Sequence, residues 1–306
     1  MNPGIGKPAG EPGGPGFPEP PVTLLADGRL RVEHGPVSLV AEARWPDGAR
    51  PGTLLEAGRR VLEVLEELAA FRPLLGLDAR RIRNPEALPP VARAMWEAAR
   101  RFPDRYVTPM VAVAGAVADA VADFLAERGA ERAVVTNGGD VALRLAPGQQ
   151  VRVGVWGRVG DSAPAVRFRV GAEDGVGGVA TSGFGGRSLT LGVADAVTAV
   201  AATAAVADAC ATLLANAVDV DSPAVERVPA ERVDPDTDLR GLRVTARVGA
   251  LSEAEIHQAL ERGEAEARRM VDQGLIRGAL LHLRGRWRAV GRVGVMEGRH
   301  AGPPRP

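Results

Sequence analysis

The chain has 306 residues, 45% of them hydrophobic and only 4% aromatic, so a sizeable core must be packed from alanine, valine and leucine. Thirty-eight basic residues balance 38 acidic ones, which leaves no global field to draw nucleic acid or a membrane surface. Lys7 is the only lysine and Cys210 the only cysteine; this excludes Schiff-base chemistry in the core, a phosphate-loop lysine, a disulfide scaffold and a cysteine-rich zinc site.

Residues 1–21 are rich in glycine and proline and lack an apolar run, so a disordered tail is expected rather than a signal peptide. One folded unit is expected over 22–292, followed by a mobile C-terminal tail over 293–306. The apolar stretch Ala196 to Ala207 is too short to span a bilayer, and a cytoplasmic protein is the expectation. Val22 to Leu25 and Leu30 to Val32 flank Asp27-Gly28 and predict a hairpin, with Val37 to Ala43 as a third strand. Helical spacing of apolar residues runs from Leu54 to Phe71, and a weaker helix from Pro90 to Arg101. Thr108-Pro109 opens a helix that continues to about Glu127.

Strands are predicted at Ala133 to Thr136, Val141 to Leu145, Gln150 to Trp156, Ala165 to Val170 and Gly175 to Ala180. Arg187 to Leu191 and Ala196 to Ala202 read as two more, followed by an Ala-rich buried helix from Ala204 to Val218. A strand at Arg243 to Val248, an amphipathic helix at Glu253 to Gln273 and a hairpin at Gly278 to Val290 close the chain. The pattern is α+β: helices laid on antiparallel sheet, in two passes. Val-Ala-Asp-Ala recurs at 117 and 206, with Val-Ala-Asp-Ala again at 193, which in so Ala- and Val-rich a chain reads as coincidence.

Three segments could carry chemistry. Asn137-Gly138-Gly139-Asp140 places two glycines between strands, where bare backbone can approach a ligand or simply turn a hairpin. Thr181-Ser182-Gly183, with Arg187 close behind, offers hydroxyls, amides and a guanidinium to a phosphate, or else is a flexible loop. Asp208 and Thr212 lie one helical turn apart on a face otherwise lined by alanine. A buried lone carboxylate there calls for a hard cation such as magnesium, an arginine, or a main-chain end to cap. No histidine stands beside the glycine-rich segments.

In this order the segments resemble the ApbE-like superfamily: helix 110–125 with Gly115 and Asp119, then Asn137 to Asp140, Ala180-Thr181-Ser182-Gly183, and Ala207-Asp208 with Thr212. The match is nearest to a shorter branch found in bacteria and methanogenic archaea. The resemblance implies an α+β fold of duplicated antiparallel sheet-and-helix units, of T-fold type. Superfamily members that are FAD:protein FMN transferases bind FAD and magnesium and attach FMN to a partner protein. The resemblance makes Asp208 and Thr212 the magnesium ligands. It makes Asn137, Gly138, Gly139, Asp140, Thr181, Ser182 and Gly183 contacts to the flavin nucleotide; by its own chemistry the Arg187 guanidinium is expected to hold the other side of the phosphates. Two departures stand out: Ala114 replaces the transferases' lysine, and the segment Gly185 to Ala194 holds no histidine. Two functions therefore stay open. One is magnesium-dependent cleavage or FMN transfer at a nucleotide pyrophosphate, with a protein acceptor if transfer survives. The other is a non-catalytic module binding a flavin nucleotide or another anionic small molecule.

Overall fold

The computed structural model describes residues 20–157, 160–186 and 188–296. Residues 1–19 and 297–306, the greater part of the tails expected at 1–21 and 293–306, lie outside the described residues, as do residues 158–159 and Arg187.

β1 (Val22–Leu24) and β2 (Leu30–His34) form the expected hairpin, with Gly28 at φ +84° in its turn. β3 (Val37–Arg44) extends it, and Leu30, Val32, Leu39 and Ala41 all point to one buried face. On that face lies α1 (Pro51–Leu75), which buries Leu54, Ala57, Val61, Val64 and Leu68 at helical spacing. α2 (Pro90–Ala99) follows, and a short 3-10 turn at Pro109–Ala112 leads into α3 (Val113–Glu127). Thr108 does not cap this helix: its hydroxyl donates to Asp238 instead.

β4 (Arg132–Asn137), β5 (Asp140–Leu145), β6 (Gln150–Val155), β7 (Val166–Gly171), β8 (Gly178–Ser182) and β9 (Ala196–Ala201) come next. After them run α4 (Ala204–Ala217), β10 (Val225–Pro229), α5 (Ala230–Val233), β11 (Arg243–Val248) and α6 (Glu253–Asp272). β12 (Gly278–Leu283), β13 (Arg286–Gly291) and β14 (Val295–Met296) complete the described chain. The main sheet has the order β1-β2-β3-β4-β5-β8-β9-β12-β13 and all its pairings are antiparallel. Its two halves meet at β5 and β8 through only two register pairs, Val141 with Val179 and Ala142 with Gly178.

The five longer helices cover one face, and the small sheet β14-β7-β6 covers part of the other. Leu143, Val179, Val200, Leu280 and Trp287 pack there against Val151, Val155, Val166 and Phe168. β9 and β12 are covered on both faces, so every residue in them is buried; this is why they read as unbroken apolar runs rather than alternating ones. The α+β reading with antiparallel sheet and helices is therefore the observed fold class.

Two expectations need correction. Residues 188–191 form no strand, because the Thr190 hydroxyl and the Leu191 amide both donate to the Asn216 side chain instead of a ladder. The folded unit passes residue 292, since Val295 and Met296 pair with Arg169 and Phe168 of β7. Among the described residues Pro109–Glu127 is long and apolar enough to cross a membrane by length and composition; here it packs in the core against α4, β4 and β5.

Candidate functional site

The β4–β5 hairpin sets the first wall. Gly138 turns with φ +64°, and Asn137 and Asp140 face each other across the ladder at its base. Alternation along β5 sends Asp140, Ala142 and Arg144 toward the helices and Val141 and Leu143 toward the small sheet. Asn137 ties the turn to the start of α3, its Nδ2 donating to the Ala114 carbonyl at 3.1 Å. Asp140 is buried on the same side.

The second wall is α4, held against α3 by a reciprocal exchange. Asp208 of α4 accepts from the Gly115 N–H at 3.0 Å, in the first turn of α3. Asp119 of α3 accepts from the Ala205 N–H at 2.9 Å, in the first turn of α4. Each carboxylate thus satisfies an orphan amide at the other helix's N-terminus. The helices can approach this closely because residue 115 is glycine: a Cβ there would lie 2.3 Å from the Ala204 carbonyl oxygen. Asp119 has a further partner, Arg144 Nη2 at 3.0 Å, whereas no arginine is paired with Asp208 in the described structure.

Asp140 and Asp208 come together where the two walls meet. Burial pushes the Asp208 carboxyl up from 3.8 to about 7, against the pull of the Gly115 and Ala114 amides. Asp140 is raised well above its usual range, first by burial and then by the Asp208 charge, while the Thr181 amide opposes the rise. Asp208 is nevertheless not closed off from solvent, and the β4–β5 turn next to Asp140 carries exposed Gly138 and Gly139. In the cation-free protein the sign follows directly. Between 3.8 and about 7 the folded state holds a proton on Asp208 that the unfolded chain releases, so this group's contribution to stability falls as pH rises through that window. Melting temperatures of metal-free protein should therefore fall from pH 5 to pH 8 more steeply than those of Asp208→Asn. Parallel profiles would contradict the shift.

The remaining residues divide. Thr212, one turn along α4 from Asp208, donates its hydroxyl to that of Ser182 on β8 at 3.5 Å, a loose contact. Thr181 turns its side chain to the opposite face of the sheet, where its hydroxyl meets that of Thr198 at 2.8 Å; only its main chain serves Asp140. The expected amide cradle is occupied by protein: the Phe184, Gly185 and Gly186 N–H groups donate to Ala194, Asp195 and Gly183 carbonyls. Gly183, at φ +139°, is required by close approach, since a Cβ there would meet the Asp195 and Ala194 carbonyl oxygens at 2.9 and 3.0 Å. Arg187 lies outside the described residues.

Asp195, a second carboxylate ahead of β9, is taken by the β12–β13 turn, where it accepts from the Arg284 N–H at 2.5 Å. His282 lies on the far face, stacked on Trp287 with its Nδ1 3.2 Å from the Gly157 carbonyl. Among the described residues no three His, Cys, Asp or Glu side chains converge as a metal cluster. Two carboxylates and two hydroxyls remain, an all-oxygen set. That set suits magnesium, which commonly takes one or two carboxylates and completes its shell with water and phosphate oxygens. The partnership of Asp140 with Asp208 is the feature that sequence reading missed.

A family model described as AbpE bacteria matches residues 22–289. A UPF0280 protein of Methanothrix thermoacetophila is 37% identical over 162 residues, covering 52% of this chain and 65% of the relative. One from Methanopyrus kandleri is 44% identical over 150 residues, covering 48% and 57%. A third, from Methanosphaerula palustris, is 39% identical over 181 residues, covering 59% and 72%. The chain thus spans less than two thirds of the length of the first two. Among solved structures, the apo form of Pseudomonas stutzeri flavinyl transferase ApbE aligns with a TM-score of 0.41 at 16% identity, over 83% of this chain and 91% of that one.

Proposed function

The chain belongs to the family described as AbpE bacteria, an ApbE-like branch, and from that premise we propose that it binds the pyrophosphate of a flavin nucleotide, FAD first, with magnesium at Asp140 and Asp208. The observation that carries this reading is the pair itself: two carboxylates enclosed together, both raised by burial, at a site that solvent can enter. Like charges so placed are costly unless a proton or a cation lies between them. A bound magnesium would supply charge neutralisation to phosphate oxygens.

The chain's own groups have definite tasks. Asp208 is oriented by the Gly115 amide and Asp140 by the Thr181 amide, so both carboxylates are fixed before any ligand arrives. Thr212 and Ser182 present hydroxyls beside Asp208. Asn137 braces the glycine turn that forms the rim. Of the sites assigned by resemblance, Asp208, Thr212, Asp140 and Ser182 fit metal and phosphate, and Asn137, Gly138 and Gly139 shape the entrance.

Incubation with FAD and magnesium, followed by chromatography, should give FMN and AMP, or FMN on an acceptor protein, and Asp208→Ala should give neither. A second reading, binding without turnover, is favoured by the position of the described histidines: His282 is on the opposite face and His34 and His257 are on the exterior. It predicts a nucleotide-dependent melting shift with no product. Neither product nor shift would reject both.

A further inference from the structure

The acidic pair straddles a seam in the main sheet. Asp140 belongs to β5, in the half of the sheet that packs on α3. Asp208 belongs to α4, which packs on β8 and β9 of the other half. β5 and β8 join through Val141 with Val179 and Ala142 with Gly178 alone, immediately after Asp140. A hinge at so short a junction changes the separation of the two carboxylates.

One ion pair clamps this junction from the helix side. Asp119 of α3 is buried and uses both oxygens: Oδ1 accepts from Arg144 Nη2 at 3.0 Å, and Oδ2 from the Ala205 N–H at 2.9 Å. It thereby holds β5 and the start of α4 against the same helix. Arg144 crosses the seam from the other direction. Its Nη1 donates to the Leu143 carbonyl at 3.0 Å and to the carbonyl of Gly177, the residue ahead of β8, at 3.3 Å. Its Nε and Nη2 reach Asp123 at 2.5 and 3.0 Å, so every guanidinium N–H has an acceptor.

Arg144 shares a face of β5 with Asp140 and lies about 13 Å along the strand from it, out of reach of a cation at the pair. At the near end of β5 the hairpin is already tied to α3, through Asn137 on the Ala114 carbonyl. One tie leaves the strand a pivot; the second, at Arg144, fixes its tilt against α4.

We propose that Asp119 and Arg144 are positioning residues for the magnesium site, a role that rests on the magnesium reading: they touch no ligand and set the separation of Asp140 and Asp208 across the seam. A cation shared by two carboxylates needs both at bonding distance at once, so a small opening of the seam weakens binding while the fold survives. Outer partners that orient ligating groups commonly account for about 10- to 100-fold in metal affinity.

Calorimetric titration of magnesium into Asp119→Asn/Arg144→Met tests this. The double substitution removes both charges together, leaving no unpaired buried ion and no change in net charge. Its asparagine oxygen can still accept from the Ala205 N–H. The metal-free variant should fold, and its magnesium affinity should fall by about tenfold or more. Arg144→Met alone separates position from field: loss of a positive charge would tighten cation binding, whereas loss of the clamp weakens it. Arg144→Lys keeps a cation on Asp119 and should restore most of the affinity lost in Arg144→Met. Should either methionine variant fail to fold, the other decides. Parent-like affinity in the folded double variant, or tighter binding in Arg144→Met, overturns the proposal and leaves the magnesium site in place. A parent protein that binds no magnesium, or an Asp208→Asn variant that binds it equally well, removes the magnesium reading and the proposal with it.

Discussion

Replacing Asp208 with asparagine should abolish the rise in melting temperature that magnesium produces, while leaving the metal-free protein folded. The asparagine oxygen can still accept from the Gly115 amide, so the end of α3 stays capped. What disappears is one of two adjoining negative charges, and with it both the cost of holding them together and the reason for a cation to bind. At a magnesium concentration one hundred times the dissociation constant, binding stabilises the parent by about 2.7 kcal/mol, and the variant should show none of this. Asp208→Ala should behave differently: it removes the cap as well and lowers metal-free stability by about 1 kcal/mol. Thermal melts with and without magnesium separate the two variants. If the asparagine variant keeps the full magnesium response, the cation lies elsewhere.

Gly115→Ala should be strongly destabilising. Its Cβ would lie 2.3 Å from the Ala204 carbonyl oxygen, 2.5 Å from its carbon and 2.8 Å from the Ala205 nitrogen. All three are backbone atoms at the start of α4, and that start cannot retreat, because Gly178 of β8 presses on it from the other side. A Cβ at 178 would lie 2.3 Å from the Ala204 nitrogen and Cα. Relief requires α3 and α4 to separate, which stretches the Asp208–Gly115 and Asp119–Ala205 bonds together. Overpacking of this kind costs about 3 kcal/mol or more. Gly52→Ala, in the first turn of α1 with nothing within 4 Å, is the control and should be neutral or stabilising. Denaturant titration of the two variants distinguishes a specific close approach from a general intolerance of alanine.

Most elements were legible because their signals are local. The Asp27-Gly28 and Arg284-Gly285 turns, the helical spacing in α1 and α6 and the unbroken apolar run of β9 each follow from residues close in the chain. β10 was not legible: it is a half-buried strand ending in Pro229, and its pairing with β11 is set by partners far along the chain. Residues 187–191 have strand composition, yet the Thr190 hydroxyl and Leu191 amide donate to Asn216.

The site was legible in its parts and not in its assembly. Asp208 with Thr212 and the Asn137 to Asp140 turn stood out, but that the charge of Asp208 reaches Asp140 depends on how β5 packs beside α4. A signal was available in the recurring Val-Ala-Asp-Ala. The copies at 117 and 206 lie in α3 and α4, and their aspartates do the same work, each capping the other helix. The copy at 193 leads into β9 instead, with Asp195 given to a turn. In the Thr181 to Gly186 segment the hydroxyls and the amides part company: the Ser182 hydroxyl meets that of Thr212 and the Thr181 hydroxyl that of Thr198. The segment's hydroxyls and glycines match a phosphate loop, but its glycines accommodate the neighbouring chain and its amides at 184–186 are spent on carbonyls.

Anomalous diffraction from crystals soaked in manganese, as a stand-in for magnesium, tests the account most directly. A peak is expected within coordinating distance of the carboxylates of both Asp140 and Asp208, absent in crystals of Asp208→Asn. No peak between those carboxylates at a concentration that raises the melting temperature, with the two instead sharing a proton, would contradict it.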